Sequence, residues 1–159
     1  MTAMGQATIR RVAPSDPDVA TLLDEYFNDR AATWAGEGLG YQRRPANLSE
    51  GVILLVDVDG STAGIGGLRH VPSDSGSWWE VKHMYIRPAA RRSGLGRRLL
   101  DALEAEARRR GATDLVLDTH HSLVAAMSLY EGAGFRSTEP FNDNPNATRW
   151  FRKPLLPRC

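Results

Sequence analysis

The sequence predicts an α/β fold in a single domain spanning residues 1–159, and three observations predict it. Apolar or alternating runs at 7–12, 52–58, 61–71, 78–86 and 114–119 read as strands, with two more near the end of the chain. Between them, three stretches carry apolar residues three and four apart, the spacing of a helix that buries one face. The composition, 42% hydrophobic and 25% charged over 159 residues, suits a chain that buries one core.

Taken in order, Ala7, Ile9 and Val12 mark a short first strand. Ser15-Asp16-Pro17 offers capping residues and a proline at a first helical position, and Val19, Leu22, Leu23, Tyr26, Phe27 and Ala31 follow as an apolar stripe. Residues 34–50 hold Gly36, Gly38, Gly40 and Pro45 without a period and read as loop, with room for a short helix. No strand precedes this Gly-x-Gly-x-Gly and no helix follows it, so it is not a nucleotide signal. Residues 52–58 and 61–71 flank Asp59-Gly60, a favoured hairpin turn, and the unbroken run from Val52 implies burial on both faces. Gly64-Ile65-Gly66-Gly67 marks close backbone approach or a bulge.

After a polar loop, Trp78 opens the central strand, where Val81, His83 and Tyr85 alternate with Lys82, Met84 and Ile86. Pro88 ends it, having no N–H to donate. A helix begins near Ser93 or Gly94, buries Leu95, Leu99, Ala102 and Leu103, and stops at Gly111. Residues 114–119 form a fifth strand. Ser122 caps a third helix that carries Leu123, Ala126, Met127 and Tyr130 on one face before Gly132 and Gly134 end it. Residues 135–139 and 147–155 read as closing strands.

The turn between the central strand and the second helix carries the first chemical signal. The leading amides of a helix have no intrahelical acceptor, and aligned peptide dipoles leave partial positive charge there. Gly94 and Gly96 let an anion approach those amides, and five arginines with no acid lie between Arg87 and Arg98. A phosphate-bearing small molecule fits. The pattern is neither a P-loop nor Gly-x-Gly-x-x-Gly, since the residue three past Gly96 is Leu99.

Arg91-x-x-Gly94-x-Gly96, following Met84-Tyr-Ile-Arg-Pro88, resembles the acetyl-CoA motif of the GNAT N-acetyltransferase superfamily. Ala126-Met-Ser-Leu-Tyr130-Glu-Gly-Ala-Gly-Phe135 resembles its second motif. The resemblance implies a mixed, twisted sheet that splays near its middle so that CoA enters between the central and fifth strands. It implies that amides from Arg92 through Ser93, Gly94, Leu95 and Gly96 to Arg97, with Arg91 beside them, hold the CoA pyrophosphate. It further implies that the backbone of Met84, Tyr85 and Ile86 pairs with the pantetheine arm, that an amide near Met84 polarises the thioester carbonyl, and that the Tyr130 hydroxyl protonates the departing sulfur. Gly66-Gly67-Leu68-Arg69, Glu80-Val-Lys82-His-Met84, Pro140-Phe-Asn142-Asp-Asn144-Pro and Arg149-Trp150-Phe151-Arg-Lys153 resemble a bacterial subgroup of small-molecule acetyltransferases. The chain departs from that subgroup at His120-His121 and at Phe141.

Acetyl transfer to an amine needs a neutral nucleophile, a polarised carbonyl and a proton for the thiolate. By strand parity Glu80, Lys82 and Met84 project from one face, which makes Glu80 the candidate base; the opposing reading pairs Glu80 with Lys82 or an arginine. His120 and His121, at a strand exit, rank below it. Adjacent histidines with no further ligand spacing give no metal site. Arg69, Lys82 and Arg149, with Asn142 nearby, are the substrate-binding candidates. Three cations around an amine pocket fit an acceptor that also carries an anion, such as an amino acid. A protein N-terminus or lysine is the alternative acceptor, and a non-catalytic acyl-CoA sensor the alternative function.

The remaining expectations come from bounds. Net charge is +1, so the basic cluster is local and neither nucleic acid nor membrane is an expected partner. Cys159 is the lone cysteine, which excludes an intrachain disulfide and suits a reducing compartment. It is also a poor nucleophile. No run approaches the roughly 20 apolar residues of a membrane span, so a cytoplasmic monomer or homodimer is expected.

Overall fold

The computed structural model describes residues 6–36 and 40–155. Cys159 and the middle glycine of the Gly36–Gly40 run lie outside them. The elements follow as β1 (Ala7–Val12), α1 (Pro17–Ala32), β2 (Val52–Val58), β3 (Ser61–Val71), β4 (Trp78–Ile86), α2 (Leu95–Arg109), β5 (Asp114–Thr119), α3 (Val124–Gly132), β6 (Arg136–Ser137) and β7 (Arg149–Pro154). Seven strands form one sheet in the order β1-β2-β3-β4-β5-β7-β6, antiparallel except where β4 and β5 run parallel. The mixed sheet expected from the sequence is therefore present.

Three local expectations need correction. No helix forms among the described residues of the 34–50 loop. The closing strands are shorter than 135–139 and 147–155, because β6 pairs with β7 at only two positions. Ser122 does not cap α3: Leu123 holds the cap position without a side-chain bond, and the Ser122 hydroxyl turns to His120 Nδ1 at 2.7 Å. At α1 the prediction holds, with the Asp16 carboxylate accepting from the Asp18 amide at 2.9 Å and Pro17 in the first turn.

The sheet is buried on both faces, as the apolar run of β2 requires. Val52, Leu54 and Val56 join Leu99, Leu103 and Leu115 in a cluster under α2, whereas Ile53 and Leu55 join Val19, Leu22 and Tyr85 under α1. The β3 glycines serve close approach. A Cβ on Gly66 would stand 2.8 Å from Leu103 Cδ1, and one on Gly67 2.7 Å from Leu48 Cδ1.

Two irregularities of β4 shape the functional cleft. Ile65 faces Tyr85 but Gly67 faces Lys82, so His83 and Met84 together oppose Gly66, and His83 takes φ +55°. This bulge reverses parity. Val81, Met84 and Ile86 consequently pack on the α2 face, while His83 sits against Tyr26 and Phe27 and Tyr85 lies under α1. Glu80, Lys82 and Met84 therefore do not share a face, contrary to the parity reading. Secondly, β4 pairs with β5 only from Trp78↔Asp114 to Glu80↔Val116. Beyond Glu80 the two strands part.

Candidate active site

Where β4 leaves β5, a cleft of about 980 Å³ opens. The turn before α2 forms one part of its wall, and α1, the 41–46 loop and the 142–146 loop form another. Of the residues predicted for the site, Met84, Tyr85, Ile86, Arg91, Arg92, Gly94, Leu95, Gly96 and Arg97 line it, as do Tyr130, Arg69, Lys82 and Asn142. Glu80, Ser93 and Arg149 do not.

The backbone of the turn suits an anion. Arg92 and Gly94 take positive φ, 62° and 80°, and the first helical bond runs from the Arg98 amide to the Gly94 carbonyl at 3.1 Å. The amides from Arg92 to Arg97 make no hydrogen bond to any described residue. Gly94 is required by its left-handed conformation, and a Cβ there would project into open space, where a ligand must come. These features fit a pyrophosphate held by a nest of N–H groups at a helix start.

The arginine side chains contribute less than the sequence suggested. Arg87 grips Glu25 through two bonds of 3.0 and 2.7 Å, Arg91 donates to the Ile86 carbonyl at 2.8 Å, and Arg97 pairs with Asp101 at 3.0 Å. Arg98 reaches the Ala7 carbonyl, and the Ser93 hydroxyl turns back to Ala90. Arg92 alone of the five arginines has no partner among the described residues. From Lys82 onward β4 has no strand partner on its β5 side, which leaves backbone free for an extended ligand.

Tyr130 sits on α3 with its ring against Phe135 and Phe151, and its hydroxyl bonds to no described residue. Burial, with the Asp118 charge adding to it and Arg30 opposing it, pushes this phenol up to about 12. It holds its proton at neutral pH. His83 is the opposite case. Burial and the Lys82 and Arg69 charges push it down to about 3, and Nε2 accepts from the Ala46 amide at 2.9 Å, so the ring is neutral with its proton on Nδ1.

Glu80 is fully buried. Its Oε1 accepts from Arg69 Nε at 2.9 Å and its Oε2 lies 3.7 Å from Lys82 Nζ, so the pairing that the sequence held open as the opposing reading is present. Burial raises its pKa, partly offset by Lys82 and Arg69. Lys82 Nζ lies equally far, 3.7 Å, from Asp118, whose carboxylate lines the cleft and accepts from Asn142 Nδ2 at 2.7 Å. Asn142 is fixed in turn by Trp150 Nε1 at 2.9 Å. Arg149 points away and donates to the Thr148 carbonyl, so the three predicted cations do not converge. His120 is buried against Trp34 and His121, bonded to Ser122, and off the cleft wall; burial lowers its pKa. His121 bonds to Thr148. Among the described residues no group of side chains could hold a metal ion.

Two functional candidates escaped the sequence reading. Asp118 lies beside buried neighbours on a strand where one-residue alternation already placed it inward with Val116. Arg30 is the other: the apolar stripe of α1 ends on it, since Arg30 is buried and Ala31 exposed. Its position three past Phe27 and four past Tyr26 was the available signal.

A mixed sheet parted at its parallel pair, with unbonded helix-start amides beside the gap, defines an α/β fold with a cleft between two strands suited to a phosphate-bearing ligand. Residues 17–135 match the acetyltransferase (GNAT) family. An IAA acetyltransferase of Azospirillum brasilense is 32% identical over 159 residues, covering 96% of this chain and all of that one. The aminoglycoside N(6')-acetyltransferase type 1 of Klebsiella aerogenes is 34% identical over 120 residues, covering 73% and 72%. A GNAT family acetyltransferase from Elizabethkingia anophelis, solved with acetyl-CoA bound, shares the fold at a TM-score of 0.65 and 19% identity, covering 94% and 98%. The chain belongs to the GNAT family and is an acetyl-CoA-dependent N-acetyltransferase. No helix among the described residues is long and apolar enough to cross a membrane.

Proposed function

We propose that this protein moves the acetyl group of acetyl-CoA to a small zwitterionic amine, such as an amino acid, by direct attack. The observation that carries the reading is the double sign of the cleft wall, which Asp118 lines with a carboxylate and Arg30, Arg69 and Lys82 with cations. An ammonium is drawn to the first and an anionic group to cations. That the similar proteins from Azospirillum and Klebsiella carry the names of an IAA and an aminoglycoside acetyltransferase supports a small acceptor.

In this proposal the turn from Arg92 to Arg97 binds the pyrophosphate and the free edge of Met84 to Ile86 orients the pantetheine arm. Acetyl-CoA supplies an activated acyl group on sulfur. The Tyr130 hydroxyl gives its proton to that sulfur, and an amide near Met84 polarises the carbonyl. Glu80, enclosed by Arg69 and Lys82, acts as a positioning residue, and Asp118 takes the ammonium proton through water. Expected thiol release from acetyl-CoA is faster with an amino acid than with its amide. A charge-assisted bond contributes roughly 1.5 to 3 kcal/mol, so the amide should lose about 10- to 150-fold in kcat/KM. Equal efficiency for acid and amide would remove the zwitterion.

A further inference from the structure

Among the described residues Arg30 has no counterion. Its side chain is on the inward face of α1, Arg30 is 8% exposed, and Nη1 is buried with no hydrogen-bond partner. No described carboxylate lies within ion-pair distance of it. The guanidinium instead stands over the rings of Trp34 at 5.8 Å and Tyr41 at 5.3 Å, which attract a cation but carry no net charge. Burying an uncompensated charge is costly, and an anionic ligand in the cleft would offset that cost.

The residue lines the acetyl-transfer cleft. Tyr130 lines the same cleft, and Trp34, over which the guanidinium stands, packs against His120 at the exit of β5. Of the other cations of this wall, Arg44 is exposed, whereas Arg69 bonds to Glu80 and Lys82 lies between Glu80 and Asp118. Arg30 is thus the buried cation of the wall that no acid answers among the described residues. Arg69, one of the substrate-binding candidates of the sequence, is held by Glu80 instead.

We infer that Arg30 is the specificity-determining residue of this enzyme, anchoring the carboxylate of an amino-acid acceptor through its free guanidinium edge while Asp118 faces the amine. The inference rests on the zwitterionic reading above and deepens it. A planar guanidinium matches a carboxylate in a two-bond fork, and the rings of Trp34 and Tyr41, tilted to one another, pack beside it.

The test measures kcat/KM for each proteinogenic amino acid that the wild type acetylates and for its amide, in wild type, Arg30→Gln and Arg30→Lys. In Arg30→Gln the acid-over-amide preference should collapse from about 10- to 150-fold to within about 3-fold of unity, mainly through KM of the acid, with the amide little changed. Arg30→Lys, which keeps charge but not the fork, should retain an intermediate preference. The acetyl-CoA-induced rise in melting temperature should be unchanged in both. A full acid preference surviving in Arg30→Gln would overturn the assignment and leave the zwitterion standing. A wild type without acid preference would instead remove the zwitterion itself. If acetyl-CoA stabilisation is lost in Arg30→Gln, or neither variant folds, Arg30 serves the donor site or the structure and the inference is wrong.

Discussion

A phenol can protonate a departing thiolate only if it still holds its proton when the thiolate forms. Tyr130 meets that condition because burial and the nearby Asp118 charge keep it protonated up to about pH 12. Ionisation of this group therefore imposes no alkaline limb on kcat between pH 7 and 10, whereas an ordinary tyrosine near 10 would begin to do so. Tyr130→Phe keeps the ring against Phe135 and Phe151 and removes only the donor. Its kcat should fall about 10- to 10,000-fold, the upper decades being usual for a general acid, with acetyl-CoA affinity nearly unchanged by calorimetry. Full turnover in a folded Tyr130→Phe would return this residue to the core.

At the scale of elements, the turn before α2 and the bulge of β4 divide the work. Free amides gather at the turn because Arg92 and Gly94 adopt left-handed conformations that stop the chain from satisfying itself. Gly94→Val strains φ +80° and fills the approach to those amides. A ligand at 100 times its Kd adds about 2.7 kcal/mol to stability, and Gly94→Val should lose most of the melting shift that this produces, measured against its own ligand-free form. An unchanged shift would move the donor site elsewhere. The bulge places Met84 on the α2 face and His83 against α1, so neighbouring residues serve separate walls. The Gly64-Ile65-Gly66-Gly67 run of β3 signals close approach or a bulge here, but nothing in β4 marks the extra residue, since His83, with its positive φ, is neither glycine nor asparagine.

Across the whole molecule, what local pattern encodes was legible and what long-range contact decides was not. The unbroken apolar run from Val52, the Asp16-Pro17 cap and the Gly111 stop lie within a few residues of the elements they define, and all seven strands and three helices followed from such signals. The donor turn was equally local. The acceptor wall was not, because it assembles α1, β3, β4, β5 and the 142–146 loop. Arg69 meets Glu80 across a strand pair, Asn142 reaches Asp118 over 24 residues, and Arg30 is exceptional only because no described residue answers it. Of the candidates that the sequence offered, Tyr130, Arg69 and Asn142 line the cleft and Arg149 does not. Whether this wall receives a free amino acid, as proposed, is decided by incubating the protein with acetyl-CoA and, separately, free amino acids, peptides with unblocked N-termini and a diamine, then following thiol release and product mass. N-acetylated free amino acids should form fastest; faster acetylation of peptide N-termini, lysine side chains or the diamine would overturn the proposed acceptor.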